Sequence, residues 1–345
     1  MFIRNAWYIA AWADELSDKP LARRILNEPV VLFRDRSGKA AAIADRCCHR
    51  GTPLSLGTVV EGGLECGYHG MVFDGAGKCV HIPGQDKIPE KAAVPSYPLV
   101  ERDRFLWIWM GEAAKADPAR IIDVPWHRDE AQWGHRHSMI PIKGSYMLMI
   151  DNLMDLTHLG YVHKRTVGGN PGQHVDAKME TSRTQNGVRF TRWMLASPPP
   201  PTYVAAYGFK GKVDRWQEFE WVAPSSVLQW TGAKDEGQGA YEGKRDGGFQ
   251  FRIFHGLTPE TETSCFYFWG SAIGFKPHDA KANDDFAEAL HVTFLEDKEI
   301  VEEQQRRLVE FGDNWLVDIV SDATRLQMRR IYNDLLSDER KLAAE

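Results

Sequence analysis

The chain has 345 residues, 43% hydrophobic and 26% charged, with a net charge of −6 at pH 7. That length supports a large core and two domains, and the acidic balance without a basic stripe excludes nucleic acid as the main partner. No apolar run approaches the roughly 18 residues that span a bilayer, so no membrane partner is expected.

At the N-terminus, MFIRNAWYIAAWADEL is apolar but has neither a basic leader nor a cleavage site, so a cytoplasmic protein is expected. Residues 29–111 read as short strands between turns: PVVLFRD and AAIADRC around RSGK, then LECGY, MVFD, the DGAGK turn and FLWIWMG. Short apolar runs punctuated by glycine predict a small all-β domain. MGEAAKADPARIIDVP leads out of it, and the chain divides into 1–125 and 126–345.

The second part opens with a helical stretch over 144–163. A strand-rich middle follows over 182–275, then helices over 281–311 and 321–342. Strands grouped together and helices grouped together predict an α+β class rather than an alternating parallel sheet. Residues 198–201 and the glycine-rich 232–248 read as surface loops.

Three of the five cysteines lie between 47 and 66, which suits a reducing compartment and metal ligation better than disulfides. Cys47 and His49 form C-x-H, and Cys66 and His69 form C-x-x-H. Gly51, Gly67 and Gly70 let such loops approach a cluster closely. Two thiolates and two imidazoles bind one tetrahedral zinc or a Rieske [2Fe–2S] cluster. The order Cys-His-Cys-His favours the cluster, because Cys2His2 zinc sites more often have both cysteines first. Cys48 is expected to point away from the metal, and Cys79 and Cys265 to be core residues.

The second concentration is MIDNLMDLTHLGYVH, 149–163. Asn152, Asp155 and His158 fall on one side of a helix, with Leu153, Leu156 and Leu159 beside them. His158 and His163 are about 140° apart on a regular helix, and converge if the helix widens or ends near Gly160. Two histidines and a carboxylate make the facial triad of a mononuclear Fe(II) oxygenase. The carboxylate would come from FLEDKEIVEEQQRR. A buried polar patch is the alternative. Asp155 is expected to orient His158 through its carboxylate. In FQFRIFHG, Phe249, Phe251, Ile253 and His255 alternate onto one face, which is either an aromatic substrate slot or plain core. Gln229 is a second candidate for gripping a carboxylate or phenol.

With MIDNLMDLTHLGYVH, the segments RNAWYIAAW, HIPGQDKIP and LTPETETSCFYFWG resemble the Rieske non-heme iron oxygenases across the chain. The likeness is to the branch of vanillate O-demethylase, dicamba O-demethylase and toluenesulfonate methyl-monooxygenase. It implies an all-β Rieske domain followed by a helix-grip, START-like catalytic domain of antiparallel sheet and helices. It maps the cluster ligands onto Cys47, His49, Cys66 and His69. It maps the iron ligands onto His158, His163 and Asp297, with Glu296 as fallback. His255 and Gln229 fall at substrate-contact positions. Many members have Pro where Cys48 stands. The resemblance implies electrons from a separate flavin and ferredoxin-type reductase, and a homotrimer in which Asp155 links the iron of one subunit to His69 of the next. The substrate it implies is a methoxy- or methyl-substituted aromatic acid, with ring hydroxylation as the alternative chemistry. A Rieske electron carrier leaves His158 and His163 unexplained, and a zinc-stapled binding module would be colourless.

Overall fold

The computed structural model describes residues 1–342. It separates into two compact units. One is Met1–Asp123 together with Thr258–Glu262; the other is Val124–Leu257 with the chain from Thr263 onward. The short Thr258–Glu262 excursion belongs to the first unit although it lies far along the sequence, and Thr258 Oγ1 donates to the Ile9 carbonyl at 2.7 Å.

The first unit is built of β1 (Trp7–Trp12), β2 (Leu21–Ile25), β3 (Glu28–Arg34), β4 (Ala40–Ala44), β5 (Thr58–Val60), β6 (Gly63–Glu65), β7 (Val72–Phe73), β8 (Cys79–His81), β9 (Ser96–Tyr97), β10 (Leu99–Arg102) and β11 (Phe105–Trp109). Three antiparallel sheets result, in the orders β1-β11-β10, β2-β3-β4-β9 and β5-β6-β7-β8. The wholly buried FLWIW of β11 is the middle strand of its sheet, as a continuous apolar run should be. The two-residue hairpins at Leu26–Asn27 and Asp103–Arg104 have φ of 51° and 70°, and 54° and 70°. Positive φ at both positions matches the twist of the flanking strands. Val31, Phe33, Ile43, Leu54, Leu64 and Phe73 form one core, and the Cys47 and Cys66 side chains pack into it.

The second unit holds a seven-stranded antiparallel sheet. Its strands are β12 (Gly134–Ile142), β13 (Lys178–Arg183), β14 (Gly187–Ser197), β15 (Val213–Val222), β16 (Ser226–Asp235), β17 (Phe249–Thr261) and β18 (Ser264–Ile273). The order is β12-β18-β17-β16-β15-β14-β13. Its helices are α1 (Tyr146–Leu153), α2 (Leu159–Val162), α3 (Pro171–Val175), α4 (Pro201–Tyr207), α5 (Ala280–Phe311) and α6 (Ala323–Leu342). Asp279 caps α5 by accepting from the Ala282 amide at 3.0 Å. The buried residues Phe286, Leu290, Phe294, Asp297 and Val301 recur every three or four positions along α5, which makes one stripe of the helix face inward. This is the helix-grip arrangement, and the α+β class holds.

Three local expectations need correction. Strand β12 was not anticipated; its Pro141 cannot donate to a neighbour, which fits an edge position. The glycine-rich loop begins only after Asp235, because β16 continues through it. The single helix over 144–163 is broken. α1 stops at Leu153, Asp155 is extended (φ −132°, ψ 102°), and a 3-10 turn over Leu156–His158 precedes α2. The Asp155 carboxylate accepts from the Thr157 amide at 2.9 Å and its hydroxyl at 2.7 Å. A short acidic side chain that caps the next turn competes with the helix that would have run through it.

Candidate active site

The two Cys–His loops are built alike. The Cys47 amide donates to the Thr52 carbonyl and the Gly51 amide to the Cys47 carbonyl, at 2.8 and 2.9 Å. The Cys66 amide likewise donates to Met71, and the Gly70 amide to Cys66, at 2.8 and 3.0 Å. The fourth residue after each cysteine has a left-handed φ, 75° at Gly51 and 71° at Gly70, which glycine adopts without a Cβ penalty. Both thiols are buried, both imidazoles are exposed, and the His49 and His69 ring centroids are 4.6 Å apart. All five cysteines are free. Burial, with the adjacent Cys66 thiol adding to it, pushes Cys47 up to about 11. Two buried sulfurs side by side would ionise together only around a cation, and soft sulfur with neutral imidazole suits a cluster iron pair. Desolvation and the neighbouring His49 and Arg50 hold His69 below its usual value, the direction that favours ligation. Cys48 is exposed.

In the second unit the ligand atoms of His158, His163 and Asp297 lie within 4.8 Å of one another. Asp297 Oδ1 is 3.0 Å from His163 Nε2 and 3.5 Å from His158 Nε2, and accepts from Asn152 Nδ2 at 3.0 Å. The histidines converge because His158 opens α2 and His163 closes it, after the chain has restarted at Asp155. Their outer nitrogens are held too. His163 Nδ1 is 2.7 Å from Glu296 Oε2, and His158 Nδ1 is 2.5 Å from the Asp155 carbonyl. The expectation that the Asp155 carboxylate orients His158 is therefore corrected: the backbone oxygen does so, because the carboxylate caps Thr157. Its Oδ2 receives only a long 3.4 Å contact from Ser321 Oγ. Burial opposes ionisation of Asp297, but the two imidazoles outweigh it and hold the carboxyl well below the usual range. Two Nε2 atoms and a carboxylate oxygen facing one point, with outer nitrogens fixed, fit a mononuclear Fe(II) triad with open positions.

This centre opens on a pocket lined by Phe219, Phe251, Ile253, Phe294, Tyr203, Gln217, Gln229, Thr231, His255 and Arg215. The inward alternation of Phe251, Ile253 and His255 does line a cavity; Phe249 packs beside it against Tyr203. His255 is fully buried, with Nδ1 2.7 Å from the Tyr267 hydroxyl and Nε2 2.8 Å from Gln229 Oε1. Gln229 Nε2 donates on to Thr231 Oγ1 at 2.9 Å. Burial takes His255 down to about 3, so the ring is neutral: Nε2–H donates to Gln229, and Tyr267 O–H donates to Nδ1. Sequence reasoning missed Tyr267, Gln217, Arg215 and the role of Glu296. The period-2 pattern of VDRWQEFEWV on β15 would have found Arg215 and Gln217, since they share a face with Phe219 and Trp221.

The Cys–His loops would hold a cluster that supplies single electrons, and the triad would hold an iron that binds O₂ beside a buried organic pocket; a chain that offers both sites is a Rieske-type non-heme iron oxygenase. Comparison with known proteins agrees. The Rieske [2Fe-2S] domain matches residues 6–98 and the vanillate O-demethylase oxygenase C-terminal domain matches residues 142–338. The chain is 39% identical over 342 residues to the toluene-4-sulfonate monooxygenase system iron-sulfur subunit of Comamonas testosteroni, covering 98% of both. It is 37% identical over 349 residues to the vanillate O-demethylase oxygenase subunit of a Pseudomonas species, covering 99% of this chain and 97% of that one. The crystal structure of dicamba monooxygenase bound to dicamba is similar with a TM-score of 0.90 at 34% identity, over 100% of this chain and 99% of that one. The chain belongs to the vanillate O-demethylase oxygenase family of Rieske oxygenases.

Proposed function

We propose that this protein is the oxygenase component of a monooxygenase that attacks the methoxy or methyl group of an aromatic acid. The observation that carries this reading is the convergence of His158, His163 and Asp297 on an aromatic pocket, in a chain that also has paired Cys–His loops. Residues 1–125 carry the cluster on Cys47, His49, Cys66 and His69, and residues 126–345 carry the iron and the substrate. When bound, the cluster supplies single electrons and the mononuclear iron activates O₂ for insertion into a C–H bond. The chain's own groups do the rest. Glu296 and the Asp155 carbonyl fix the tautomers of the two histidines, Asn152 steadies the carboxylate, and the phenylalanines keep water from the reacting carbon. Gln229, held by His255, offers a neutral hydrogen bond that sets the ring's orientation. A hydroxylated methoxy group then collapses to a phenol and formaldehyde, whereas a hydroxylated methyl group stays as an alcohol.

The relatives named as subunits or components of larger systems support a separate reductase as electron source. A cytoplasmic location fits such a system, and no helix among the described residues is long and apolar enough to cross a membrane. The decisive test supplies NADH, O₂, a surrogate reductase and a panel of methoxy- and methyl-substituted benzoates and benzenesulfonates. Formaldehyde from a methoxy substrate, or a benzyl alcohol from a methyl one, is expected. Ring-hydroxylated products alone would overturn the reading.

We also infer a homotrimer in which Asp155 carries the electron between His69 of one subunit and His158 of the next. The one weakly held oxygen of Asp155 leaves an acceptor available for a second imidazole. Asn caps a turn about as well as Asp, a contribution of about 1 kcal/mol, so Asp155→Asn should fold and load both centres. Its pre-reduced cluster is expected to reoxidise far more slowly with substrate and O₂ in single-turnover mixing. Reoxidation at the wild-type rate would remove Asp155 from the electron path.

A further inference from the structure

The inner face of the sheet carries two buried arginines that have no carboxylate partner among the described residues. Arg192 on β14 and Arg215 on β15 are 2% and 1% exposed. Arg192 pairs in register with Gln217 and Arg215 with Met194, so the two cations are diagonal neighbours across adjacent strands. Each uses one donor on the segment that follows His163: Arg215 Nη2 donates to the Val167 carbonyl at 2.9 Å, and Arg192 Nη2 to the His174 carbonyl on α3. The remaining buried donors, Arg215 Nε and Nη1 and Arg192 Nη1, have no partner. Burial and the positive Arg215 bring Arg192 down to about 10, and Asp155 is the carboxylate that opposes this.

Arg215 lines the pocket that also contains the iron ligands, and its guanidinium lies 4.9 Å from the centre of the Tyr203 ring. It is the one lysine or arginine on that lining. His255, the other polar group expected there, is neutral and has both ring nitrogens occupied, so it offers no charge. An unpaired buried cation is costly, and a buried guanidinium with unpartnered N–H groups favours an anion that can accept from one of them. We propose that Arg215 is the anchor for the anionic group of the substrate, a ring-bound carboxylate or sulfonate, with Arg192 reinforcing the positive field behind it. This deepens the oxygenase reading and rests on it for the identity of the pocket. The Tyr203 face and Phe251 would flank the ring, and the anion held on β15 would leave the ring's other substituent toward His158, His163 and Asp297. Arg215 is thus a specificity-determining residue that takes no part in O₂ chemistry.

The test compares anions with their neutral amides on the purified holoenzyme. Vanillate and vanillamide form one pair, and 4-methylbenzenesulfonate and 4-methylbenzenesulfonamide the other, with Kd from titration calorimetry. The wild type is expected to favour one or both anions, and the better pair identifies carboxylate or sulfonate as the group read. Arg215→Gln should weaken that anion about 10- to 100-fold, as loss of a charged hydrogen-bonding partner does, and leave the amide within about twofold of the wild-type value. Arg215→Lys, which keeps the charge but not the guanidinium's planar donors, should fall between. Should Arg215→Gln fail to fold, the Lys variant alone decides: a loss confined to the anion supports the anchor. Equal losses for anion and amide, or no preference for either anion in the wild type, overturn it. Formaldehyde or benzyl alcohol from the amides would then leave the oxygenase reading standing. Anion binding through Arg215 without any oxidised product would overturn the oxygenase reading and leave the anchor intact.

Discussion

Asp297→Ala is expected to abolish turnover and mononuclear iron while leaving the Rieske absorption unchanged. The carboxylate is buried, ionised and shared by His158, His163 and Asn152. Its removal takes away the only anionic donor that faces both Nε2 atoms, and a metal that loses this charge has two neutral ligands left. Asn152 Nδ2 also loses its acceptor, which costs about 1–3 kcal/mol, so a modestly lower melting temperature should accompany the loss. Metal analysis, visible spectra and formaldehyde release on one preparation check all three. Retained iron and turnover would mean that Asp297 is not a ligand. Glu296→Ala should give a graded result instead, a loss of about 10- to 100-fold in iron affinity or activity. Glu296 holds His163 Nδ1 at 2.7 Å and receives Thr166 Oγ1 at 3.2 Å. Glu296 is thus expected to act through His163.

Cys66→Ser should give the complementary loss: no red-brown colour, no Rieske electron paramagnetic resonance signal, and a cluster iron pair missing from the metal content. A serine hydroxyl stays protonated at neutral pH and does not replace a thiolate on iron. Cys66 also sits in the core with Leu54, Leu64 and Phe73. Metal binding at such a site contributes to folding, so the first unit should melt earlier, and the triad in the second unit should still take up iron. A variant that keeps the Rieske spectrum would exclude Cys66 as a ligand. Zinc as the only metal recovered from wild type expressed with iron would exclude the cluster.

Short-range chemistry was legible in the sequence. The two Cys–His loops need little more than their own glycines to form, and Gly51 and Gly70 do adopt the left-handed φ such loops demand. The inward alternation of Phe251, Ile253 and His255 follows from the two-residue period of a strand. Asp297, the carboxylate proposed as ligand, continues the stripe of Phe286, Leu290 and Phe294 on α5. A helix turns about 100° per residue, so adjacent acids cannot both face the metal.

What the sequence by itself determined is a set of candidate donors and the type of most elements around them, because residue type, period and turn chemistry are local properties. What only the tertiary structure decided is where separate segments meet. The break at Asp155, which brings His158 and His163 together, depends on a carboxylate choosing the Thr157 amide and hydroxyl over a neighbouring imidazole. The pairing of Glu296 with His163 spans 133 positions. Arg215 lines the pocket because β15 passes beneath it, and its Nε and Nη1 have no hydrogen-bond partner among the described residues. Hydrogen bonds and burial between distant segments set these features, and their energies depend on the folded arrangement rather than on spacing along the chain.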